Sequence, residues 1–287
     1  MWIADNWLDY KILDTSDGEK LESWGKFILR RPDPQIIWKT PKDNSLWNKA
    51  DAVYSRSSSG GGSWNKHNLP ESWQINYKEL TFNIRPMNFK HTGLFPEQAV
   101  NWDFCEEKIK NANRHINVLN LFAYTGGATV ACLNAGASVC HVDASKGMVE
   151  QAKENVAASG LSDAPVRYIV DDCSKFVARE IRRGRRYDAI IMDPPSYGRG
   201  PNGEIWHLED KLYDLIDLCC GVMSDNPLFF ILNSYTTGLS PAIMKYLLEN
   251  IIKKRFGGKC TADEIGLKVL STGGVLPCGN TARWEAL

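Results

Sequence analysis

The chain has 287 residues, 43% of them hydrophobic and 24% charged, with a formal net charge of zero. That length supports one large core plus a smaller domain, and the zero net charge excludes a uniformly basic surface, so nucleic-acid binding would need a local basic face. No eighteen-residue apolar run occurs, Met-Trp-Ile-Ala-Asp-Asn is not a secretory signal, and the eight cysteines form no Cys-x-x-Cys pair, so a cytoplasmic protein with reduced thiols and no membrane span is expected. The five histidines lack metal-ligand spacing, and no metal site is predicted.

Residues 1–85 read as a small β-rich accessory domain. Short strand-like pieces, Gln35–Trp38, Asp51–Tyr54 and Leu80–Arg85, are broken by proline and polar turns. The low-complexity stretch Ser55–Ser63 reads as a loop. Seven tryptophans (Trp2, Trp7, Trp24, Trp38, Trp47, Trp64 and Trp73) fall here. They could stack RNA bases or simply fill the core of a small domain.

Residues 86–287 have a different rhythm. Val118–Phe122 reads as a buried strand, Tyr124–Gly127 as a tight turn and Ala128–Ala135 as a helix with Gly136 past its end. A second strand, Ser138–Val142, ends in Asp143, about twenty residues beyond the glycines, where an acidic side chain can meet a ribose diol. Ser145 starts a helix to Ser159, and a third strand, Val166–Val170, ends in Asp171-Asp172. Cys173–Arg183 is helical, and strand Tyr187–Met192 stops at Asp193-Pro194-Pro195, because proline cannot donate to a ladder. Helices over 207–223 and 240–256 flank strand Leu228–Asn233, and Glu264–Leu270 with Ala282–Leu287 would close the sheet as an antiparallel hairpin. The expected architecture is α/β, a doubly wound, mostly parallel seven-stranded sheet.

In such a sheet ligands bind at the carboxyl ends of the strands. Gly126, Asp143, Asp172 and Asp193 all fall on that edge. An Asp-Pro-Pro there points to methyl transfer from S-adenosylmethionine. The turn is not Gly-x-Gly-x-x-Gly, which counts against a nicotinamide or flavin site, and no Gly-x-x-x-x-Gly-Lys-Ser/Thr loop occurs. The basic runs Arg182-Arg183-Gly184-Arg185-Arg186 and Lys253-Lys254-Arg255 end helices at the opposite edge, so they read as structural. Lys90, His91, Lys146, Arg199 and Lys211 are better placed as substrate-side cations, and Gly198–Trp206 reads as a lid in which Trp206 shields the site or anchors the next helix.

Taken together, Asn120-Leu-Phe-Ala-Tyr-Thr-Gly-Gly127, Val142-Asp143-Ala-Ser145, Asn155, Asp172 and Asp193-Pro-Pro-Ser-Tyr197, preceded by Lys90-His-Thr-Gly-Leu-Phe-Pro-Glu-Gln98, resemble the class I S-adenosylmethionine-dependent methyltransferases, Rossmann-like in fold. The pattern is similar to the bacterial large-subunit (23S) ribosomal RNA methyltransferase family and its uncharacterised relatives. The resemblance implies that Phe122, Ala123, Tyr124, Thr125 and Gly126 wrap the methionyl end of the cofactor. It also implies that Asp143, with Ala144 and Ser145, meets the ribose, and Asp172 with the Cys173 backbone the adenine; the lesser alternatives are that Asp143 or Asp172 is a helix N-cap and, for the adenine, that Asp171 is the ligand. Asp193 and the Pro194 carbonyl would orient the acceptor nitrogen at the methyl group, with Asp193 also bordering the cofactor, and Tyr197 would stack on a flipped base. Lys90, Gln98, Arg199 and Lys211 would contact substrate. Ser196 departs from families in which the aromatic follows the second proline directly. Neither Pro194–Gly200 nor Asn233–Gly238 contains a cysteine, which disfavours cytosine carbon-5 methylation. The expected activity is methylation of a ribosomal RNA base nitrogen, with a small molecule or protein as the alternative substrate.

Overall fold

The computed structural model describes every residue except 58–60, 67–68, 88–89, 200–204 and 237, and leaves the side chain of Arg199 undescribed. The chain divides into two compact units, one comprising Met1–Trp2, Val100–Ile265 and Cys278–Leu287, the other Ile3–Ala99 and Gly266–Pro277.

The larger unit carries the parallel sheet. Its strand order is Trp2–Ile3, Lys259–Lys268, Val275–Glu285, Phe229–Ser234, Ala189–Met192, Asn117–Leu121, Ser138–Asp143 and Val166–Val170. Seven of these are the expected strands, and the two-residue Trp2–Ile3 adds an eighth at the edge. Parallel register sets Leu121 beside Met192 on one side and Val142 on the other, and Asp143 beside Val170. Val275–Glu285 runs antiparallel to Phe229–Ser234, which gives the antiparallel edge. Every residue of Ala189–Met192 and Phe229–Ser234 is buried, as helices covering both faces require. Burying each large apolar side chain contributes about 1.5–3 kcal/mol, so these two strands contribute strongly to the stability of the sheet.

Three elements differ from the sequence reading. Helix Ala99–Asn111 was not foreseen, although Ala99, Trp102, Cys105 and Ile109 are its buried apolar positions at helical spacing. Gln35–Trp38 is not a strand, because its hydrogen bonds go to a turn: Asp17 N–H donates to the Trp38 carbonyl and Gly18 N–H to the Ile36 carbonyl. The helix expected over 240–256 is interrupted by a π-helical segment, Glu249–Lys253.

In the smaller unit a five-stranded sheet runs Tyr10–Ser16, Glu19–Trp24, Phe27–Pro32, Ala52–Arg56 and Gly62–Lys66, accompanied by the hairpin Trp73–Tyr77 and Leu80–Ile84. The expected loop 55–63 is therefore strand at both ends, and residues 58–60 lie outside the described residues. Arg31 and fully buried Glu22 form a two-pronged ion pair, and Tyr10 Oη donates to the same carboxylate at 2.7 Å. Trp7, Trp24 and Trp47 are buried, while the Trp38, Trp64 and Trp73 indoles donate to the carbonyls of Thr15, Met87 and Trp24. The tryptophans of this unit thus fill and brace its interior.

Candidate active site

At the carboxyl edge of the sheet the chain leaves strand Asn117–Leu121 through a turn that alternates into left-handed backbone, with φ of 52° at Phe122, 51° at Tyr124 and 83° at Gly126. For a non-glycine residue this conformation is unfavourable by roughly 1–2 kcal/mol, so the turn needs partners. Ala123 N–H donates to the Val142 carbonyl at 3.1 Å, and Gly126 N–H closes on the Ala123 carbonyl at 3.0 Å. Tyr124 N–H donates to Asp143 Oδ2 at 2.8 Å, and Ser145 N–H to Asp143 Oδ1 at 2.8 Å. The turn also lies flat on its supports. A Cβ on Gly126 would stand 2.9 Å from Ala152 Cβ, and one on Gly127 would stand 2.6 Å from the Trp102 ring. Gly126 is required here by space as well as by dihedral, and Gly127 by space alone.

Asp143 is half-buried, and burial pushes its carboxyl pKa upward against the opposing N–H donors of Ser145 and Tyr124. An ionised carboxylate offers about four acceptor positions, and these two N–H groups occupy two of them. The position starting helix Lys146–Ala158 is Ser145, whose hydroxyl makes no capping bond. Asp143 therefore ties the turn to the following helix with acceptor capacity to spare, which fits a ligand bearing two adjacent hydroxyls.

At the third strand the N-cap alternative for Asp172 is realised: Oδ1 accepts Lys175 N–H at 2.8 Å, starting helix Cys173–Arg182. Asp171 is engaged otherwise, by an ion pair with Arg179 and by Asp172 N–H at 2.8 Å. Cys173 is buried, and its Sγ accepts Phe122 N–H at 3.3 Å from below the turn. Burial raises its thiol pKa far above the ordinary range, which makes it a poor nucleophile.

A buried polar layer underlies the turn; the sequence reading named Asn120 and Asn155 within the resembling motifs but gave no role to Thr129 or His141. Asn155 Nδ2 donates to the Thr125 carbonyl at 2.8 Å. Asn120 Nδ2 donates to Thr129 Oγ1 at 2.9 Å, and that hydroxyl lies 2.9 Å from His141 Nδ1. Asn120 and His141, polar side chains inside otherwise apolar strands, were the available signal for the strand half of this layer.

The fourth strand ends at half-buried Asp193, whose N–H reaches the Leu121 carbonyl at 3.4 Å, and buried Pro194 follows. Tyr197–Arg199 pairs antiparallel with Ile205–His207, so the stretch expected to be a lid is a β-hairpin at its described ends. Tyr197 is 48% exposed and meets His207 edge-on with ring centroids 5.3 Å apart. Trp206 both bridges and anchors: its indole donates to the Pro195 carbonyl at 2.7 Å, and its ring centroid is 5.8 Å from that of Phe122. The Ser196 and Thr236 hydroxyls are 2.5 Å apart, joining the Asp-Pro-Pro segment to the loop after the fifth strand. Neither this hydroxyl pair nor the indole bridge has a motif-level signature.

The proposed substrate contacts lie on different elements. Lys211 is exposed on helix Leu208–Cys220, and the side chain of Arg199 lies outside the described residues. Lys90 and Gln98 belong to the smaller unit, where Lys90 Nζ donates to the Pro32 carbonyl at 3.4 Å and Gln98 is buried. Arg183 pairs with Glu180, Arg186 bonds the Gly221 carbonyl and Arg255 pairs with Asp217, so these members of the basic runs have structural partners. Among the described residues, no His/Cys/Asp/Glu group could hold a metal, and no helix is long and apolar enough to cross a membrane.

A glycine turn, a half-buried carboxylate and an Asp-Pro-Pro lie on one edge of this sheet. Residues 50–215 match the S-adenosylmethionine-dependent methyltransferase family, to which the chain belongs. A solved structure, a SAM-dependent methyltransferase from Agrobacterium tumefaciens, superposes with a TM-score of 0.94 at 36% identity, covering 100% of this chain and 93% of that one. Ribosomal RNA large subunit methyltransferase K/L of Shewanella frigidimarina is 35% identical over 147 residues, 50% of this chain and 20% of that protein. Ribosomal RNA large subunit methyltransferase I of Klebsiella pneumoniae is 37% identical over 81 residues, 28% of this chain and 20% of that protein. The chain thus matches only about a fifth of the length of these two curated relatives. The protein is an S-adenosylmethionine-dependent methyltransferase.

Proposed function

We propose that this enzyme methylates a base nitrogen of large-subunit ribosomal RNA. The observation that carries the reading is Asp193-Pro194 at the strand tip beside the glycine turn, flanked by the exposed ring of Tyr197. Bound S-adenosylmethionine supplies an activated methyl group, so the protein's work is alignment and exclusion of water. Asp143 accepts the ribose hydroxyls in charge-assisted bonds, and Asp172 accepts from the adenine amino group with the oxygen not capping its helix. The Phe122–Gly126 backbone holds the methionyl end. Asp193 and the Pro194 carbonyl accept the N–H bonds of the base amine and aim its nitrogen at the methyl group, while Tyr197 stacks on the base. Trp206, seated between Pro195 and Phe122, keeps the two halves in register. The buried, high-pKa thiol of Cys173 gives no support to cytosine carbon-5 chemistry, which requires an attacking thiolate. The names of the Shewanella and Klebsiella relatives favour RNA as substrate.

The test is incubation with methyl-labelled S-adenosylmethionine and ribosomal RNA from a strain lacking the gene, followed by nucleoside mass analysis. Label in an N-methylated base is expected. A C5-methylated cytosine would refute the nitrogen assignment. Absence of label in both naked RNA and intact subunits would move the substrate to a small molecule or protein, the reading compatible with zero net charge.

A further inference from the structure

Beneath the cofactor turn lies a side chain to which the proposed chemistry assigns no role. His141 is fully buried in the middle of the second parallel strand, in register with Asn120. Its ring sits directly under the turn, because a Cβ on Gly126 would stand 3.6 Å from His141 Cε1. One ring nitrogen is accounted for: Nδ1 faces Thr129 Oγ1 at 2.9 Å, and that hydroxyl already accepts from Asn120 Nδ2. With one lone pair taken by the amide, the hydroxyl can give its proton to Nδ1, which places the ring proton on Nε2.

Nε2 is buried and has no partner in hydrogen-bonding geometry. Such an atom is unfavourable by roughly 1–3 kcal/mol, more than a nearly neutral surface substitution would change. The backbone of Tyr124 acts on the imidazole in the direction of an acceptor, favouring its protonated form, so the Tyr124 carbonyl is near but not aligned. Tyr124 is also the left-handed residue whose N–H is held by Asp143. One peptide segment of the turn is thus gripped from the ligand side by Asp143 and underlain from the core side by His141.

We infer that His141 is a positioning residue for the cofactor turn: its Nε2–H aligns with the Tyr124 carbonyl when S-adenosylmethionine or its demethylated product is bound, coupling occupancy to the Asn120–Thr129–His141 chain. The inference rests on the assignment of residues 122–127 as the cofactor turn. His141 touches no reacting atom and acts only through the backbone of Tyr124. Burial holds the ring pKa at about 4, so it remains a neutral donor at physiological pH.

The experiment uses the full chain labelled with 15N-histidine and S-adenosylhomocysteine as the probe. Long-range 1H–15N spectra should assign the Nε2–H tautomer to His141, with its Nε2 resonance moving on ligand addition while the exposed imidazole of His207 serves as a control. An Nδ1–H tautomer, or an Nε2 resonance unchanged at saturating ligand, would overturn the inference while leaving the methyltransferase reading intact. If calorimetry detects no binding to the wild-type protein, the cofactor-turn assignment and the inference fall together. By calorimetry His141→Leu should weaken S-adenosylhomocysteine binding roughly three- to tenfold, the equivalent of one hydrogen bond. His141→Gln, whose amide can donate from the Nε2 position, should restore affinity to within about twofold. In turnover, His141→Leu should raise KM for S-adenosylmethionine with little change in kcat. Equal affinity in all three proteins would also defeat the inference, and if His141→Leu does not fold, the wild-type spectra still decide it.

Discussion

Asp143 Oδ2 accepts the N–H of Tyr124 at 2.8 Å, so the carboxylate at the tip of one strand clamps a left-handed residue in the turn leaving the neighbouring strand. Removing it leaves Tyr124 unsupported and takes away the acceptor assigned to the ribose. Each charge-assisted bond lost corresponds to about 1.5–3 kcal/mol. Asp143→Ala should therefore weaken S-adenosylhomocysteine binding by roughly 100-fold or more, read by calorimetry. Retained affinity would refute the ribose role.

Asp193 should behave in the opposite way. Asp193→Ala is expected to bind S-adenosylhomocysteine within about threefold of wild type and to lose at least about 100-fold in single-turnover methyl transfer, as removal of a group acting only on the acceptor should do. Full activity of the variant would remove Asp193 from the chemistry.

Gly126→Ala and Gly127→Ala test the space under the turn. The first combines a φ of 83° with a Cβ 2.9 Å from Ala152 Cβ, the second a Cβ 2.6 Å from the Trp102 ring. Overpacking a close-packed site typically destabilises by about 1–3 kcal/mol, measurable by urea denaturation. Gly136→Ala, past the end of helix Gly127–Asn134, has open space but a φ of 91° and should lose only the dihedral part, about 1 kcal/mol.

Trp206→Phe keeps a ring against Phe122 and removes the N–H that reaches the Pro195 carbonyl. Methylation should slow by roughly three- to tenfold, the equivalent of one hydrogen bond, with S-adenosylhomocysteine affinity unchanged. Affinity falling in parallel with rate would instead place the indole's main role at the cofactor.

Acid should destabilise the fold through its buried histidines. Burial depresses His141 to about 4, and burial with the charges of Arg31, Lys90 and Lys20 depresses His91 to about 4, whereas an unfolded histidine titrates near 6.5. Between those values the unfolded chain binds protons that the folded chain does not, so stability present above pH 6.5 is lost as pH falls toward 4. Each histidine should contribute a loss of about 2 kcal/mol by pH 5, seen in urea titrations at pH 7.5 and 5. His141→Gln should remove about half of that pH dependence.

Much of the site was legible because its parts are local in sequence. Strand-ending aspartates, a Gly-Gly turn and a Pro-stopped strand each write their geometry into a few neighbouring residues, and parallel βα order brings them to one edge. What escaped depends on long-range placement. The Trp206 bridge joins residues 195, 206 and 122, and the hydroxyl pair joins Ser196 to Thr236, across separations that no local pattern encodes. Asn120, Thr129 and His141 were visible as polar residues in apolar elements, but their mutual contacts depend on register between strands and the intervening helix. Asp172 illustrates a different limit, since one carboxylate can cap a helix and still offer its second oxygen to a ligand.

The smaller unit is assembled from two stretches made at very different times. Leu270 N–H donates to the Ile12 carbonyl, Ser271 N–H to the Leu13 carbonyl and Ser271 Oγ to Asp14, so 266–277 is bonded to the first long strand of that unit. During synthesis from the N-terminus, residues 3–99 emerge without this partner and must wait until the whole parallel sheet has been translated. A fragment cut after residue 99 would leave the Ile12 and Leu13 carbonyls without these donors and present an open strand to other chains. Strands made after the parallel sheet thus complete a unit begun before it, so removing 266–277 would also strip partners from strand Tyr10–Ser16.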